Sequence, residues 1–304
     1  MDITGLDAID ALVMKGLGHR LNPQQMAIYQ AEEREELISG GSRSGKSSIG
    51  AAKLVKRFIK QDKIKTKGGP CLYWLVGADY SQTDSEYRIL TKVFQSLPGW
   101  WRSTRKNTND PGRIELRDNT AVDCYTAENE EKLSQVSPQG IVICEAGQVP
   151  YSIRKKCQER LIDSRGWLLM TGTIERQKFP WYSRLIREWQ FGTPHSQRSW
   201  MLATWTNTAL FPGGRNDPEI LRMEAEAVDD GWFMERLAGI PAPPSGLVFP
   251  EVTVETHVRE CEWNGGEIYL WEDPGYGSDS PHVVLAVQKA RGRVECFDEI
   301  WEVG

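Results

Sequence analysis

The residues with the most chemical content run from Glu36 to Ile49, ELISGGSRSGKSSI. A short apolar run, Leu37-Ile38, enters Gly40-Gly41-Ser42-Arg43-Ser44-Gly45-Lys46-Ser47-Ser48. Apolar residues at helical spacing then leave it: Ile49, Ala52, Val55, Phe58 and Ile59. This is G-x-x-x-x-G-K-[ST] with a strand before it and a helix after it, the context in which that spacing cradles phosphate. Gly40, Gly41 and Gly45 permit backbone conformations and close approaches that a Cβ would block. Successive N–H groups then face inward as an anion nest at the positive end of the new helix. Lys46 is placed to reach the β- and γ-phosphates of ATP, and the Ser47 hydroxyl to ligate Mg2+. A Gly/Ser-rich surface turn accounts for the composition, but not for every fixed position with both flanks.

A second acid-bearing stretch is Gln139-Gly140-Ile141-Val142-Ile143-Cys144-Glu145. An apolar strand ending in an acid delivers that acid to the edge where a parallel sheet binds its ligands. In a P-loop ATPase, Glu145 would polarise the water that attacks the γ-phosphate. The preceding residue is usually an Asp holding Mg2+ through water. Cys144 stands there instead, and a neutral thiol is a poor ligand for a hard cation. A third strand, Trp167 to Met170, ends in Thr171-Gly172-Thr173, where small hydroxylated residues can sense the γ-phosphate. Upstream, the Gln25 amide could hydrogen-bond both edges of adenine, or cap a helix. Near the C-terminus, a strand from Glu267 ends in Asp273. Two further strands follow, His282 to Gln288 and Val294 to Ile300. Such a meander can open a metal-dependent nuclease, with Asp273 as a first ligand; Glu299 is a second candidate or a structural acid.

These groups need a scaffold, and the pattern supplies one. Helically spaced apolar residues occupy the first 20 positions, and a short helix runs through Tyr29. Strand-then-helix units at Leu37, Leu72, Ile141 and Trp167 predict an α/β fold, a parallel sheet with helices on both faces. Arg113 to Arg117 and Ala121 to Tyr125 read as a hairpin, and Trp100 to Asn109 as an exposed excursion. The basic run from Lys53 to Lys67 reads as a solvated helix face. Arg154, Lys155, Lys156 and Arg160 read as a solvated or a DNA-facing one. From Trp181 to 239 the pattern suggests a small lid or coupling subdomain, with a long helical stretch from Asp217 to Leu237. Residues 240–246, IPAPPSG, form a stiff linker.

Composition narrows the class. The chain has 304 residues, 39% hydrophobic and 26% charged, as soluble globular proteins do. A formal net charge of −5 argues against a general cationic coat while leaving room for a local DNA-binding channel. Six cysteines make no C-x-x-C pair, and several lie in apolar strands, as buried reduced thiols of a cytosolic protein would. No secretory leader is evident, and no apolar run approaches the roughly 20 residues of a membrane span.

Taken together, GGSRSGKSS, LVGADY, RIELRDNT, GIVICEAGQ, LLMTGT, ATWTNTALFPGG and YLWEDPGYGSDSPHVVLAV resemble the large terminase subunit of tailed bacteriophages, from about Leu21 onward. The resemblance implies a RecA-like P-loop ATPase domain over 1–239, its sheet mostly parallel, with a small helical subdomain at about 181–239. After the 240–246 linker it implies the first strands of a ribonuclease H-like nuclease over 247–304. Lys46, Ser47 and Glu145 would serve ATP hydrolysis, with Arg43 contacting the γ-phosphate and Thr171 to Thr173 coupling. Asp273 would bind a nuclease Mg2+ or Mn2+. The implied partners are double-stranded DNA, a portal protein, a small terminase subunit and further copies in a ring, in the host bacterial cytoplasm and transiently at the prohead. Trans-acting arginine candidates are Arg102, Arg105 and Arg113. Cys144 departs from the pattern, and the nuclease acids beyond Gly304 are missing, so nuclease activity is expected to be absent. The competing readings are a helicase-like translocase and a nucleotide-binding scaffold with little turnover.

Overall fold

A computed structural model describes residues 7–60, 72–97, 99–105, 112–117, 119–128, 133, 137–175, 179–242, 259–273, 282–290 and 292–302. The basic residues beyond Lys60, Cys71, the linker from 243 and the Pro274–Gly277 turn lie outside them. The chain forms two compact units, Met1–Ala242 and Pro243–Gly304.

The strands of the first unit are β1 (Glu35–Gly40), β2 (Leu72–Gly77), β3 (Trp101–Arg105), β4 (Arg113–Leu116), β5 (Ala121–Thr126), β6 (Gly140–Ile143), β7 (Trp167–Gly172) and β8 (Gln197–Leu202). They make one sheet in the order β3-β4-β5-β2-β6-β7-β1-β8. Every pairing from β5 to β8 is parallel, and only β3-β4 and β4-β5 are antiparallel. Buried strands alternate their side chains between two cores, as the two-residue period requires. Tyr73, Leu75, Val142, Trp167 and Leu169 enter one core with helices α1 (Ala8–Leu17), α2 (Pro23–Gln30), α3 (Lys46–Lys60) and α4 (Asp84–Ser96). Trp74, Val76, Ile141, Ile143, Leu168 and Met170 enter the other with α5 (Tyr151–Arg160) and α6 (Pro180–Trp189).

Several local expectations change. Trp101–Arg105 is no excursion; it is an edge strand, and edge strands carry polar and charged residues because one side meets water. Residues 197–202 do not belong to a lid: β8 pairs in parallel with β1 and completes the sheet. The helical stretch after Asp217 breaks into α7 (Pro218–Ala225), α8 (Asp230–Phe233) and a π-turn (Met234–Ala238). The break falls where Asp229 accepts from the Trp232 N–H and restarts the helix. Only this segment builds a separate small cluster, with Ile220, Phe233 and Leu237 at its centre and Trp205 stacked on Phe233.

In the described part of the basic run Lys53, Lys56 and Arg57 face inward and only Lys60 is exposed. Lys53 is 1% exposed, donates to Ile28 O and Ala31 O, and pairs with Glu36 Oε2 at 2.8 Å, while Arg57 closes on the other Glu36 oxygen. Glu36 is itself fully buried in β1. Burial pulls the Lys53 ammonium down to about 8 against the opposing attraction of Glu36. Arg154 is neither solvated nor available to DNA: it is buried and bonded to Glu35 at 2.9 Å, whereas Lys155 is exposed.

The second unit presents β9 (Tyr269–Asp273), β10 (His282–Ala290) and β11 (Arg293–Glu302), an antiparallel sheet in the order β11-β10-β9. Its strands are largely exposed, Leu270 and Trp271 among them.

Candidate active site

The parallel sheet brings the carboxyl ends of β1, β6 and β7 to one edge, and the chemistry of the first unit gathers there. The P-loop, residues 40–47, joins β1 to α3. Gly45 has φ 93°, a conformation L side chains rarely adopt. A Cβ on Gly41 would stand 2.1 Å from Leu237 O, so no larger residue fits. Three successive carbonyls of the loop are held from outside. Thr204 Oγ1 donates to Ser42 O at 2.6 Å, Asn207 Nδ2 to Arg43 O at 2.8 Å, and Gln25 Nε2 to Ser44 O at 3.0 Å. With its carbonyls turned outward, the loop keeps its concave side for donors. The Ser44 hydroxyl is buried there without a hydrogen-bond partner, as a phosphate-binding group would be.

Lys46 Nζ lies 3.4 Å from Glu145 Oε1. Glu145 follows β6 in the left-handed region, φ 47° and ψ 49°, a strained conformation for a residue with a side chain. Its other oxygen accepts from the Thr173 N–H at 3.2 Å. The P-loop lysine, the strand-tip acid and the T-G-T turn, distant in sequence, are therefore one cluster. Thr171, behind them, donates to Glu86 Oε1 at 3.1 Å. The Ser47 hydroxyl is a polar neighbour of the same Glu86 carboxylate and favours its charged form.

Other residues read from the sequence are placed differently. Gln25 is the third residue of a capping box on α2: its Oε1 accepts from Asn22 N, and its Nε2 is committed to the P-loop. The helix-cap reading therefore replaces the adenine one. Gln25 nonetheless lines a cavity of about 380 Å³ with His19, Arg20, Gly45, Ser48 and Leu210, within the roughly 300–1,000 Å³ of small-molecule pockets. Arg43 is exposed, with φ 62°, and its carbonyl is held by Asn207. Arg113 is engaged by Glu115 and Asp123, and Arg102 is exposed on the edge strand β3. The Arg105 side chain lies outside the described part of the structure. Asp273 ends β9 at an exposed position. The register puts Glu299 on the same face but two strands away and two residues further along, roughly 12 Å at strand spacing. Among the described residues, no three His, Cys, Asp or Glu side chains form a metal cage.

Sequence reasoning missed Glu86, Thr204 and Asn207. Glu86 carried a signal: it lies on the stripe Thr83, Tyr87, Leu90, Phe94, where α4 is otherwise buried and apolar. Thr204 and Asn207 fall within ATWTNTALFPGG, a segment of the resemblance, but the resemblance names neither as a tether of the P-loop.

No family model and no curated protein sequence matches the chain. Solved structures do. The large terminase ATPase domain of Thermus phage P74-26 superposes with a TM-score of 0.56 at 17% identity, covering 75% of this chain and 97% of that one. The fold is that of a phage large terminase ATPase domain. The large terminase of a thermophilic bacteriophage, in complex with ADP, gives 0.56 at 11% identity, covering 94% of this chain and 69% of that one. The HK97 bacteriophage large terminase gives 0.57 at 14% identity, covering 96% and 67%. At these identities the terminase likeness is one of architecture.

Proposed function

We propose that this chain is a large terminase subunit, an ATPase that moves double-stranded DNA. The observation that carries the reading is the convergence of Lys46, Glu145 and Thr173 at the carboxyl edge of the sheet. ATP would lay its phosphates on the P-loop N–H groups, with Lys46 on the β- and γ-oxygens and the base toward the cavity beside Gly45 and Ser48. Lys46 would then exchange its contact with Glu145 for the phosphate, freeing Glu145 to take a proton from the attacking water. Mg2+, bound with the nucleotide, would neutralise phosphate charge, and the hard oxygen of Ser47 suits it.

Glu145 is bonded to Thr173, so a change at the γ-phosphate reaches the T-G-T turn directly. From there Glu175 accepts from both Gln148 and Arg236. Arg236 lies in the π-turn, and its carbonyl accepts from the P-loop Ser42 N–H. This route joins hydrolysis to the small cluster around Phe233, which we assign the coupling role. Portal protein, small terminase subunit and a ring of copies are the partners of this reading. Exposed Arg102 is the candidate for a neighbour's active site. The three-stranded unit is assigned to a ribonuclease H-like nuclease, and because Asp273 joins no cluster of three metal-ligating side chains among the described residues this chain is expected not to cut DNA.

Mg2+-dependent ATP hydrolysis by this chain, beside Lys46→Ala and Glu145→Gln, tests the reading. Turnover lost in both variants, with ATP binding kept in Glu145→Gln, is expected. Binding without turnover in the unaltered chain favours a scaffold, the reading that Cys144 supports. No binding at all removes the proposal.

A further inference from the structure

The motor site has a gap where β6 ends. The Cys144 side chain is fully buried, and burial first, then the neighbouring Glu86 carboxylate, pushes its thiol well above its ordinary range. A neutral thiol offers little to a hard cation. A carboxylate nevertheless occupies the space in front of it, delivered by a different element. Glu86 rises from α4 and is 2% exposed. Its Oε1 accepts from Thr171 Oγ1 at 3.1 Å, and the Ser47 hydroxyl and the Cys144 thiol are its polar neighbours.

Building on the motor-site reading, we propose that Glu86 is the Mg2+-site carboxylate of this chain, standing in for the acid that position 144 lacks. Two observations favour this over a packing role. A buried carboxylate is costly unless paired. Yet no ion pair joins Glu86 to a Lys or Arg among the described residues, and its charged neighbour, Glu145, is another anion. Its hydrogen bond comes from Thr171, and its other hydroxyl neighbour is Ser47 of the P-loop, so both segments that face the phosphates meet at this carboxylate. A divalent cation beside Ser47 supplies the positive charge that Glu86 and Glu145 together call for. The substitution at position 144 then makes sense, because an Asp there would press a further carboxylate against Glu86.

The test is ADP affinity of the full chain, measured with Mg2+ and with EDTA. The unaltered chain should bind ADP more tightly with Mg2+. Glu86→Gln should lose about 10- to 100-fold of the affinity in Mg2+ while keeping its affinity in EDTA. Adding Cys144→Asp to Glu86→Gln should restore the Mg2+ response, which a purely structural role for Glu86 does not predict. An unchanged Mg2+ response in Glu86→Gln overturns the proposal. Should Glu86→Gln fail to fold, Glu86→Asp serves: it should weaken the Mg2+ response through its shorter reach, and an intact response is equally fatal. ADP binding that ignores Glu86 removes this proposal alone, whereas absence of ADP binding in the unaltered chain removes the motor-site reading as well.

Discussion

Glu145 and Asp273 look alike in the sequence, each an acid at the end of an apolar strand, and the structure treats them in opposite ways. β6 lies inside a parallel sheet, between β2 and β7. Parallel strands all end on one side, so Glu145 arrives beside the P-loop after β1 and Thr173 just after β7, whose last two residues are Thr171 and Gly172. β9 is the edge of an antiparallel sheet, where neighbouring strands run to opposite ends. Asp273 consequently faces the start of β10, and its nearest acid on that face, Glu299, is two strands away. A strand-tip acid becomes a candidate site through what the topology delivers to the same edge.

The largest expected effect breaks or upholds that contrast. Glu145→Gln should lower ATP hydrolysis by about 10²- to 10⁴-fold, the range for a lost general base. Asp273→Ala should leave hydrolysis unchanged. A comparable loss in both variants would erase the distinction. Metal-dependent nicking of plasmid by the chain, abolished in Asp273→Ala, would show that the second unit assembles a site after all.

Next comes stability. The buried trio of Glu36, Lys53 and Arg57 ties β1 to α3 and, through Ile28 O and Ala31 O, to α2. Lys53→Met leaves Glu36 with Arg57 alone and takes the donor from Ile28 O and Ala31 O, so the first unit should lose about 2–5 kcal/mol in denaturant unfolding. A loss below about 1 kcal/mol would mean that Arg57 alone balances Glu36.

A smaller effect sharpens the picture of the P-loop. Asn207→Ala removes one of three side-chain tethers, and ADP affinity should fall roughly fivefold, the worth of one net hydrogen bond of about 1 kcal/mol. Gln25→Ala should cost more, because Gln25 also closes the capping box on α2. Equal losses would reduce both residues to simple tethers.

How much was legible follows from where each signal resides. The P-loop, the strand-tip Glu145 and the T-G-T turn could be read because each is local: a turn chemistry, a run of apolar residues, a terminal acid. The alternation of Tyr73, Trp74, Leu75 and Val76 between two cores needed only the strand period. What could not be read depends on pairing at a distance. Trp101–Arg105 and Gln197–Leu202 are strands because β4 and β1 offer them edges, and composition holds no record of a partner. Lys53 and Arg57 looked solvated because the acid that receives them lies in β1, on another element. Glu86 was visible only as an acid on an apolar helical stripe, and its meaning required Ser47 and Thr171 beside it.

The smallest expected effect lies in the second unit and uses the same kind of bond as the largest stability effect. Arg259 pairs with Glu295 at 2.6 Å, but the Arg259 side chain is 55% exposed. Water already solvates the guanidinium well although Glu295 is only 16% exposed, holding a long side chain still costs entropy, and salt screens what remains. Arg259→Ala should therefore shift the unfolding midpoint by an amount equivalent to about 0.2–1 kcal/mol, and the shift should shrink further in high salt. Lys53→Met should lose little of its effect in the same salt, since buried pairs are screened much less. If both variants responded to salt alike, the first unit's buried trio would have to be reached by water. The distinction between an acid held inside a parallel sheet and one at an exposed antiparallel edge would then weaken at its electrostatic root.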